Sequence, residues 1–375
     1  MTDQTSLPAG AGPPIESVRT AVYRFPTPTP EADGTLAWDA VVAVTVTLTA
    51  AGETGLGWSY TSPAAAAVVE QHLAEVVRQH GAFQIAAGWE AMHRAGRNYG
   101  THGLFQQALS AVDIAWWDLA GRLRNQPVAD LAGGTVLDEI PLYGSGGFTT
   151  LTDDELAEQV AGWHEVGARA MKIKIGESWG ARPDRDLARV RQLIELAGPG
   201  VAPMVDANGG YTIGQAQRIG HELDTLGVSW FEEPVSSEDL AGLALLRQQL
   251  RLDVAAGEYL SEQSAVLAML PSVDCLQLDA TRCGGYTGFQ RAAAIAAGRN
   301  LKVSAHCGPA VHAPLMAAIP NLAHVEYFAD HVRLEPLLVD GVTPARGGRL
   351  HPDLSAPGHG MRLAESAQRY RSERN

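Results

Sequence analysis

The chain has 375 residues, more than one ordinary domain contains, so we expect two domains. Its composition, 46% hydrophobic and 19% charged, is typical of a globular protein with a large apolar core. The formal net charge of −14 argues against a general affinity for nucleic acid, which requires a basic surface, and against binding to anionic membranes.

The cysteines and the N-terminus indicate an intracellular chain. Cys275, Cys283 and Cys307 are too few and too irregularly spaced for a disulfide framework or a zinc knuckle, so we expect them to be buried small hydrophobic residues. The N-terminus lacks the basic-then-apolar order of a signal peptide, and no apolar run reaches the roughly 18 residues that cross a membrane. We therefore expect a cytoplasmic protein.

Residues 1–135 predict an α+β domain. The stretches VRTAVYRF and WDAVVAVTVTLTA predict strands, and GETGLGWSY predicts a further strand or turn. The tract PTPTPEADG between the first two strands is expected to be a mobile loop without regular structure. SPAAAAVVEQHLAEVVRQ and LFQQALSAVDIAWWDLAGRL predict helices, and we expect the Trp116–Trp117 pair of the second helix to lie in the core.

In residues 136–343, short apolar runs alternate with helical patterns. The runs are IPLYGS, AMKIKIG, APMVDANG, VSWFEEP, DVAAGE, DCLQLDA, LKVSAH and LAHVEYF. Eight strand–helix units predict a parallel TIM barrel of the (β/α)8 type, modified to (β/α)7β. An open doubly wound sheet is the alternative, but GSGGFT matches its G-x-G-x-x-G fingerprint poorly. Residues 344–375 are expected to pack back on the first domain and complete it.

Polar residues stand at or near the C-terminal end of nearly every predicted barrel strand. In chain order they are Ser145, Lys172, Lys174, Asp206, Asn208, Glu232, Glu258, Asp279, His306 and Glu326. Active sites of TIM barrels are built on that face from the ends of several strands. Because scattered surface charge would not follow the strand ends, this series predicts an active site.

Side-chain alternation along a strand selects among the candidate metal ligands. In WFEEP, the apolar Phe231 fits the layer between strands and helices, so Glu232 should face the barrel mouth and Glu233 the opposite side. Asp206, Glu232 and Glu258 then converge from three consecutive strands. Three carboxylates repel each other unless a hard cation neutralises them, and an all-oxygen set favours Mg²⁺, with Mn²⁺ as a substitute.

Two acid/base groups flank the predicted metal site. Lys174 precedes the carboxylates and His306 follows them in the closed ring of strands. We expect burial and nearby cations to lower the pKa of Lys174, so that it can act as a base near neutral pH. Asp279, one strand before His306, is expected to orient the imidazole and hold it protonated.

The motifs KIKIG, VDANGGY, WFEEP, AGE, LDATRCGGYTG, SAH and HVEYF, in this order and spacing, resemble the mandelate racemase subgroup of the enolase superfamily. The resemblance extends over essentially the whole chain, including an α+β capping domain. It implies one Mg²⁺ per subunit, a small-molecule carboxylate substrate and a homo-oligomer, from dimer to octamer.

The resemblance also implies a role for each strand-end residue. Lys174 would remove the proton α to the carboxylate, Lys172 would stabilise the resulting enediolate, and His306 with Asp279 would act on the opposite face. Glu326 would hydrogen-bond a carboxylate oxygen of the substrate. Asn208 and Ser145 would contact the substrate or the metal.

The same residues serve more than one reaction. Dehydration of a sugar acid is favoured, because most relatives with this Lys/His pair catalyse it and the tract PTPTPEADG is polar rather than aromatic. Racemisation or epimerisation of a 2-hydroxy acid is the alternative. A metal-dependent hydrolase would require a His-x-His at the first strand, where the chain has YGS. A non-catalytic metal-binding barrel would not need Lys174, His306 and Glu326.

Overall fold

In the computed structural model, residues 7–342 and 344–372 are described. Residues 1–6, at the start of the predicted first domain, residue 343, at the end of the predicted barrel, and residues 373–375 lie outside the described residues. Within the described part of the chain, no helix is both long and apolar enough to cross a membrane.

The N-terminal part of the chain is a three-stranded antiparallel sheet covered by helices. Its strands, in the order β1-β2-β3, are Ser17–Ala32, Ala37–Ala50 and Glu53–Tyr60. Its helices are α1 (Ala64–Val68), α2 (Ala74–Arg78), α3 (Ile85–Ala95), α4 (Leu104–Arg124) and α5 (Val128–Leu131), with a π-helical turn at Val69–Leu73 and a 3₁₀ turn at Gly96–Asn98. Trp116 and Trp117 of α4 are both buried, as predicted.

The expectation of an irregular loop at PTPTPEADG is wrong, because β1 continues through this tract to Ala32. β1 is an edge strand of the three-stranded sheet, a position in which proline is tolerated because one side of the strand forms no continuous ladder. The register shifts between Pro26 and Glu31, which marks a bulge. We call residues 26–40, the far end of this strand pair, the capping hairpin.

Eight parallel strands form a closed barrel, as predicted, and the last strand pairs with the first. They are β4 (Ile140–Gly146), β5 (Ala170–Lys174), β6 (Ala202–Asp206), β7 (Trp230–Glu232), β8 (Asp253–Ala256), β9 (Cys275–Leu278), β10 (Lys302–Ala305) and β11 (Leu322–Phe328). The helices between them are α6 (Asp153–Glu165), the short α7 (Glu177–Gly180), α8 (Pro183–Ala197), α9 (Ile213–Leu226), α10 (Leu240–Gln249), α11 (Gln263–Met269), continued by a 3₁₀ turn at Leu270–Ser272, α12 (Gly285–Ala297) and α13 (Pro309–Met316). Helix α14 (Ala329–Leu338) follows the last strand.

Local sequence signals fix several of these helix ends. A capping box joins Thr152 to Glu155 at the start of α6, and a second joins Thr212 to Gln215 at the start of α9. Gly227 ends α9 with a left-handed φ of 79°. These signals set where α6 begins and where α9 begins and ends. They thereby fix where each of these two helices leads the chain back toward the next strand.

The C-terminal segment packs on both parts of the molecule. Its short strands are β13 (Arg349–Leu350), which pairs with the start of β4, and β14 (Arg362–Leu363), which pairs with β12 (Val339–Asp340). A 3₁₀ helix, Glu365–Tyr370, follows and packs against β1. The segment therefore completes the N-terminal domain, as predicted.

The two parts are held in register by buried hydrogen bonds between α4 and the start of α12. Asp113 accepts hydrogen bonds from the backbone N–H of Thr287 at 2.9 Å and from its hydroxyl at 2.7 Å. Trp117 Nε1 donates to the same hydroxyl at 2.9 Å. This junction fixes where the capping hairpin stands over the barrel.

The capping hairpin closes on the loops at the C-terminal ends of the first barrel strands. Thr149 N donates to the carbonyl of Ala32 at 2.8 Å, and Trp179 N donates to the carbonyl of Gly34 at 2.9 Å. A Cβ atom at Gly34 would lie 2.6 Å from the carbonyl oxygen of Ile175, so only glycine permits this approach. The hairpin thus covers one side of the barrel mouth.

Candidate active site at the barrel mouth

Alternation along the barrel strands sorts apolar from polar side chains. Phe231 and Val205 pack outward in the main core between strands and helices, while Tyr143, Met204 and Trp230 form an apolar layer inside the barrel. The strand-end polar groups lie above this layer, and all the predicted site residues except Asn208, which is partly exposed, are buried. The barrel therefore presents a buried polar floor at its C-terminal mouth.

Three carboxylates converge at the centre of this floor. Asp206, Glu232 and Glu258 each offer an oxygen, and the three oxygens lie within 4.8 Å of one another. Glu232 Oε1 is buried without a hydrogen-bond partner in the described part of the chain, and Glu258 Oε2 lies 3.3 Å from His306 Nε2 without a hydrogen bond of good geometry. Buried carboxylate oxygens without partners are costly, and a hard divalent cation among them would remove that cost. The donor set therefore fits Mg²⁺ or Mn²⁺.

Lys172 compensates the charge of these carboxylates from inside the barrel. Its Nζ lies 2.6 Å from Glu232 Oε2, 2.9 Å from Glu326 Oε1 and 3.2 Å from the Tyr143 hydroxyl. Burial acts to lower the pKa of Lys172, but the Glu232 and Glu326 carboxylates outweigh it and raise the pKa well above its usual value. Lys172 is therefore a fixed positive charge.

Lys174 contacts the same cluster from the next inward position on β5. Its Nζ donates a hydrogen bond to Asp206 Oδ2 at 2.5 Å. Burial and the charge of Lys172 lower the pKa of Lys174, but the carboxylates of Asp206, Glu326 and Glu258 together outweigh both, and the net shift is upward. The expectation of a lowered pKa is wrong for this arrangement, because a carboxylate stands against the ammonium. A cation that drew the Asp206 charge to itself would weaken this upward shift.

His306, at the end of β10, is held by two carboxylates. Its Nδ1 lies 2.9 Å from Asp279 Oδ2, and its Nε2 lies 3.3 Å from Glu258 Oε2. Burial acts to lower the pKa of His306, but the charge of Glu258 and the hydrogen bond that the ring makes to Asp279 raise it above its usual value. The structure thus pairs Asp279 with His306 in the way the sequence predicts, and the imidazole favours its protonated form.

Glu326, at the end of β11, is ionised and firmly placed. Its Oε1 accepts a hydrogen bond from the Ser145 hydroxyl at 2.6 Å, and its Oε2 accepts one from the backbone N–H of Cys307 at 2.8 Å. Burial raises the pKa of Glu326, but Lys172 and His306 lower it well below its usual value. Ser145 therefore lies at the site as predicted, where it positions a carboxylate.

Asn208 lies at the edge of the carboxylate cluster. Its backbone N–H donates to Asp206 Oδ1 at 2.9 Å, and its left-handed φ of 45° turns the chain sharply after β6. The side-chain Oδ1 is buried without a hydrogen-bond partner in the described residues. Asn208 therefore fixes one oxygen of Asp206 and retains an acceptor for a ligand.

The prediction that Glu232 faces the mouth agrees with its contacts, whereas the prediction for Glu233 is wrong. β7 ends at Glu232, and Glu233 has a left-handed φ of 37°, so strand alternation no longer applies to it. Burial, together with the charges of Glu258 and Asp206, raises the pKa of Glu233 well above its usual value. Glu233 is therefore a buried carboxyl group close to the cluster, and these surroundings favour its protonated form.

Arg282 is a site residue that the sequence interpretation missed. Its Nη1 lies 3.0 Å from Glu258 Oε1, and its Nε lies 3.3 Å from Asp279 Oδ2. It therefore bridges a carboxylate of the central cluster and the partner of His306. Its position three residues after Asp279, in the loop that follows β9, is the signal that could have identified it.

Aromatic side chains line the mouth beneath the capping hairpin. Trp38, Phe148 and Phe328 form a small apolar cluster with Cys307, and the Phe148 ring lies 5.5 Å from Trp38 and 5.6 Å from Phe328. Lys174 Nζ lies 5.8 Å from the centre of the Phe328 ring. The capping hairpin thus contributes the aromatic ring of Trp38, which follows the polar tract PTPTPEADG. The composition of that tract therefore does not predict the aromatic lining on this side of the mouth.

Comparisons with known proteins agree with this geometry. Family models match residues 15–133, as the mandelate racemase / muconate lactonizing enzyme N-terminal domain, and residues 155–367, as an enolase C-terminal domain-like unit. The chain is 34% identical to 3,6-anhydro-alpha-L-galactonate cycloisomerase from Streptomyces coelicolor, over 93% of this chain and 97% of the relative.

Two solved structures share the fold over nearly the whole chain. A mandelate racemase/muconate lactonizing enzyme-like protein from Rubrobacter xylanophilus superposes with a TM-score of 0.92 at 42% identity, covering 96% of this chain and all of the other. L-talarate/galactarate dehydratase from Salmonella typhimurium, liganded with Mg and L-lyxarohydroxamate, superposes with a TM-score of 0.88 at 27% identity, covering 98% and 95%.

Proposed function

Because the chain belongs to the mandelate racemase/muconate lactonizing enzyme family of the enolase superfamily, we propose that it removes the proton α to the carboxylate of a sugar acid and then expels a β-oxygen substituent. One observation carries the proposal. A buried cluster of three carboxylates, suited to a hard cation, lies in one barrel mouth with Lys174 and with the His306–Asp279 pair.

Asp206, Glu232 and Glu258 would hold Mg²⁺, with Mn²⁺ as a substitute. The unpartnered oxygen Glu232 Oε1 supports this assignment, as does a related dehydratase solved with Mg. A bound Mg²⁺ would neutralise the cluster and polarise the substrate carboxylate, which makes the α-proton more acidic.

Lys174 is the proposed base. In its neutral form, Nζ accepts the α-proton while the C–H electron pair moves toward the carboxylate and generates an enediolate. Lys172 is held as an ammonium by Glu232 and Glu326, and it stabilises the negative charge that develops. Without substrate, Glu326 is ionised. It can donate the predicted hydrogen bond to a substrate oxygen only after it takes up a proton. The negative charge of the dianionic intermediate would favour this protonation.

His306 is the proposed acid of the second step. The enediolate electrons form a C=C bond as the bond from the β-carbon to its oxygen breaks. The His306 imidazolium gives its Nε2 proton to that oxygen, which leaves as water. The remaining enol tautomerises to a 2-keto acid. Asp279 keeps Nδ1 protonated and the ring oriented throughout.

A second candidate is an isomerisation, and the 34% identity to a cycloisomerase favours it. If the β-oxygen belongs to a ring, the same two steps open the ring and no water is lost. Racemisation, in which Lys174 and His306 exchange protons across one carbon, requires the same residues without elimination.

A panel of open-chain and cyclic sugar acids, assayed with Mg²⁺ for 2-keto product and for α-proton exchange in D₂O, tests the proposal. We expect exchange and keto product with at least one acid. Lys174→Ala should lower exchange about 10²–10⁴-fold, since a positioned base contributes that much. His306→Asn should retain exchange and lose the keto product.

The outcomes separate the alternatives. Exchange with no keto product from any acid would contradict elimination and leave racemisation. Wild-type exchange in Lys174→Ala would contradict the assignment of the base. The cytoplasmic location and the homo-oligomeric state expected from the sequence stay predictions, which cell fractionation and light scattering would test.

A further inference from the structure

A second group of potential metal ligands lies beside the central cluster. His306, Cys307 and Glu326 each offer one ligand atom, the three atoms lie within 4.8 Å of one another, and all three residues are buried. The Cys307 Sγ is 3.2 Å from His306 Nε2, and Glu326 Oε2 is 4.0 Å from the same nitrogen. This set combines sulfur, nitrogen and oxygen, whereas the central cluster offers oxygen alone.

The backbone at Cys307 brings the thiol and the imidazole together. Neighbouring residues of an extended strand point to opposite sides, but β10 ends at Ala305 and Cys307 has a left-handed φ of 51°. Residues other than glycine seldom adopt this conformation, and it costs free energy unless the surroundings hold it. Here the Cys307 N–H is held by Glu326 Oε2 at 2.8 Å, so the strained turn and the third ligand form one unit.

The charges around this group favour a bound cation over a free thiolate. Glu258 Oε2 lies 3.3 Å from His306 Nε2, and Asp279 contacts the other ring nitrogen. The carboxylates of Glu258, Asp279 and Glu326 thus surround the ring and the neighbouring thiol, and a divalent cation attracted to them would itself deprotonate the thiol.

We propose that His306, Cys307 and Glu326 form a second metal site, selective for thiophilic divalent cations such as Zn²⁺ and Cd²⁺, beside the oxygen-only cluster. Thiolate and imidazole are preferred ligands of these softer ions, and a solvent molecule would complete a tetrahedral set. A cation bound there occupies His306 Nε2, the atom that the proposed function uses as its acid. The site is therefore inhibitory.

Cd²⁺ provides a direct test, because its bond to a thiolate gives an ultraviolet charge-transfer band. We expect the full-length chain, saturated with Mg²⁺, to develop this band on titration with Cd²⁺ at one equivalent per chain. Cys307→Ser should abolish the band. Cys275→Ser is the matched control, since Cys275 is equally buried but lies at the start of β9, and this variant should retain the band.

Asp206→Asn should weaken Mg²⁺ binding and keep the Cd²⁺ band, which would show that the two sites are separate. Loss of an outer-shell partner alone weakens metal binding 10–100-fold, so Cys307→Ser, which removes a direct ligand, should raise the Cd²⁺ dissociation constant at least about tenfold. No thiolate band in the wild-type chain, or an unchanged band in Cys307→Ser, would overturn the proposal.

Inhibition is the second readout, and it rests on the proposed function. We expect Zn²⁺ to suppress turnover of the Mg²⁺-loaded enzyme and Cys307→Ser to raise the half-inhibiting concentration at least about tenfold. Equal inhibition of both proteins would contradict the inhibitory role. Because the Cd²⁺ titration requires no substrate, failure to find a sugar-acid activity would leave the test of the metal site intact.

Discussion

The carboxylates at the barrel mouth and the carboxyl pair under the capping hairpin both bury negative charge, and they do so in different ways. At the mouth, Lys172, Lys174 and Arg282 stand against Glu232, Asp206 and Glu258 at 2.5–3.0 Å. Under the hairpin, Glu31 and Asp330 are hydrogen-bonded to each other, and Trp38 Nε1 donates to Glu31 at 3.0 Å and to Asp330 at 3.1 Å.

The protonation of the two regions differs accordingly. Burial and Asp330 raise the pKa of Glu31 to about 8, while the hydrogen bonds from Glu31 and Arg333 help lower the pKa of Asp330 against its burial. The pair therefore shares one proton at neutral pH. At the mouth, cations compensate the charge, and the carboxylate cluster keeps the unpaired oxygen Glu232 Oε1 for a ligand. The barrel mouth is therefore suited to bind a cation. The Glu31–Asp330 pair instead joins the capping hairpin to the start of α14.

The largest effect is expected for Glu232→Gln. The change removes a proposed metal ligand and the charge that pairs with Lys172, so metal binding should weaken strongly and turnover should fall to background. Isothermal titration with Mg²⁺ and the 2-keto acid assay measure the two effects. Wild-type-like activity in this variant would refute the assignment.

Glu233→Gln is the matched control, because it removes a carboxyl group of the same size from the neighbouring position. Burial and the nearby carboxylates raise the pKa of Glu233 and favour its protonated form, and glutamine reproduces the charge of that form. We expect turnover within about tenfold of wild type, since no partner charge is left unpaired. Equal losses in the two variants would remove the distinction between the two glutamates.

An intermediate effect is expected for Arg282→Gln. Arg282 orients Glu258 and contacts Asp279, so its loss should weaken Mg²⁺ binding 10–100-fold, as loss of an outer-shell partner does elsewhere. The pKa of His306, read by NMR of its ring protons, should rise, because a nearby positive charge is removed. An unchanged histidine pKa together with unchanged metal affinity would show that Arg282 is only structural.

The smallest effect is expected for Glu31→Gln, and it concerns stability. A carboxyl group whose pKa is raised in the folded state carries no cost below its unfolded pKa of about 4.5. Above that pH, the unfolded chain loses the proton while the folded chain retains it, so the wild-type chain loses stability until the pH reaches about 8. Glutamine reproduces the protonated form and should remove this loss.

Thermal unfolding of the two proteins at pH 5 and pH 8 measures the difference. We expect Glu31→Gln to gain about 2 kcal/mol over wild type between these values, after allowance for solvent screening. Asp39→Asn, on the exposed surface of the same hairpin, is the control and should show no such trend. A gain that does not grow with pH would mean that the pair shares no proton.

Much of the fold could be predicted from the sequence because local signals agree with the global arrangement. Each of the eight apolar runs forms a barrel strand. A parallel strand that is buried on both faces is apolar along most of its length, so it appears in the sequence as a continuous apolar run. The tract PTPTPEADG was mispredicted because proline argues against a strand only at positions where a backbone N–H would have to donate a hydrogen bond to a neighbouring strand. That depends on β1 being an edge strand, which is a property of the tertiary structure.

The candidate site was predictable as far as strand geometry extends. Alternation placed Lys172, Lys174, Asp206 and Glu232 at the mouth, in agreement with their contacts, and failed at Glu233, where left-handed backbone follows a strand end. The pKa of Lys174 could not be foreseen, because its direction depends on a 2.5 Å contact with Asp206. Arg282 escaped notice because a single arginine in a loop carries no periodic signal.

The C-terminal segment also sets the order in which the chain can finish folding. Tyr370 packs against Phe25 of β1 with tilted rings whose centres are 4.7 Å apart, and the N–H of Ser372 donates to the carbonyl of Val22 at 2.9 Å. His359 packs against Trp58, whose side chain is fully buried. On the ribosome, the N-terminal sheet is made first, yet the residues that cover it are made after the whole barrel. That sheet therefore keeps an apolar face uncovered through most of synthesis, the interval in which a chaperone would engage it.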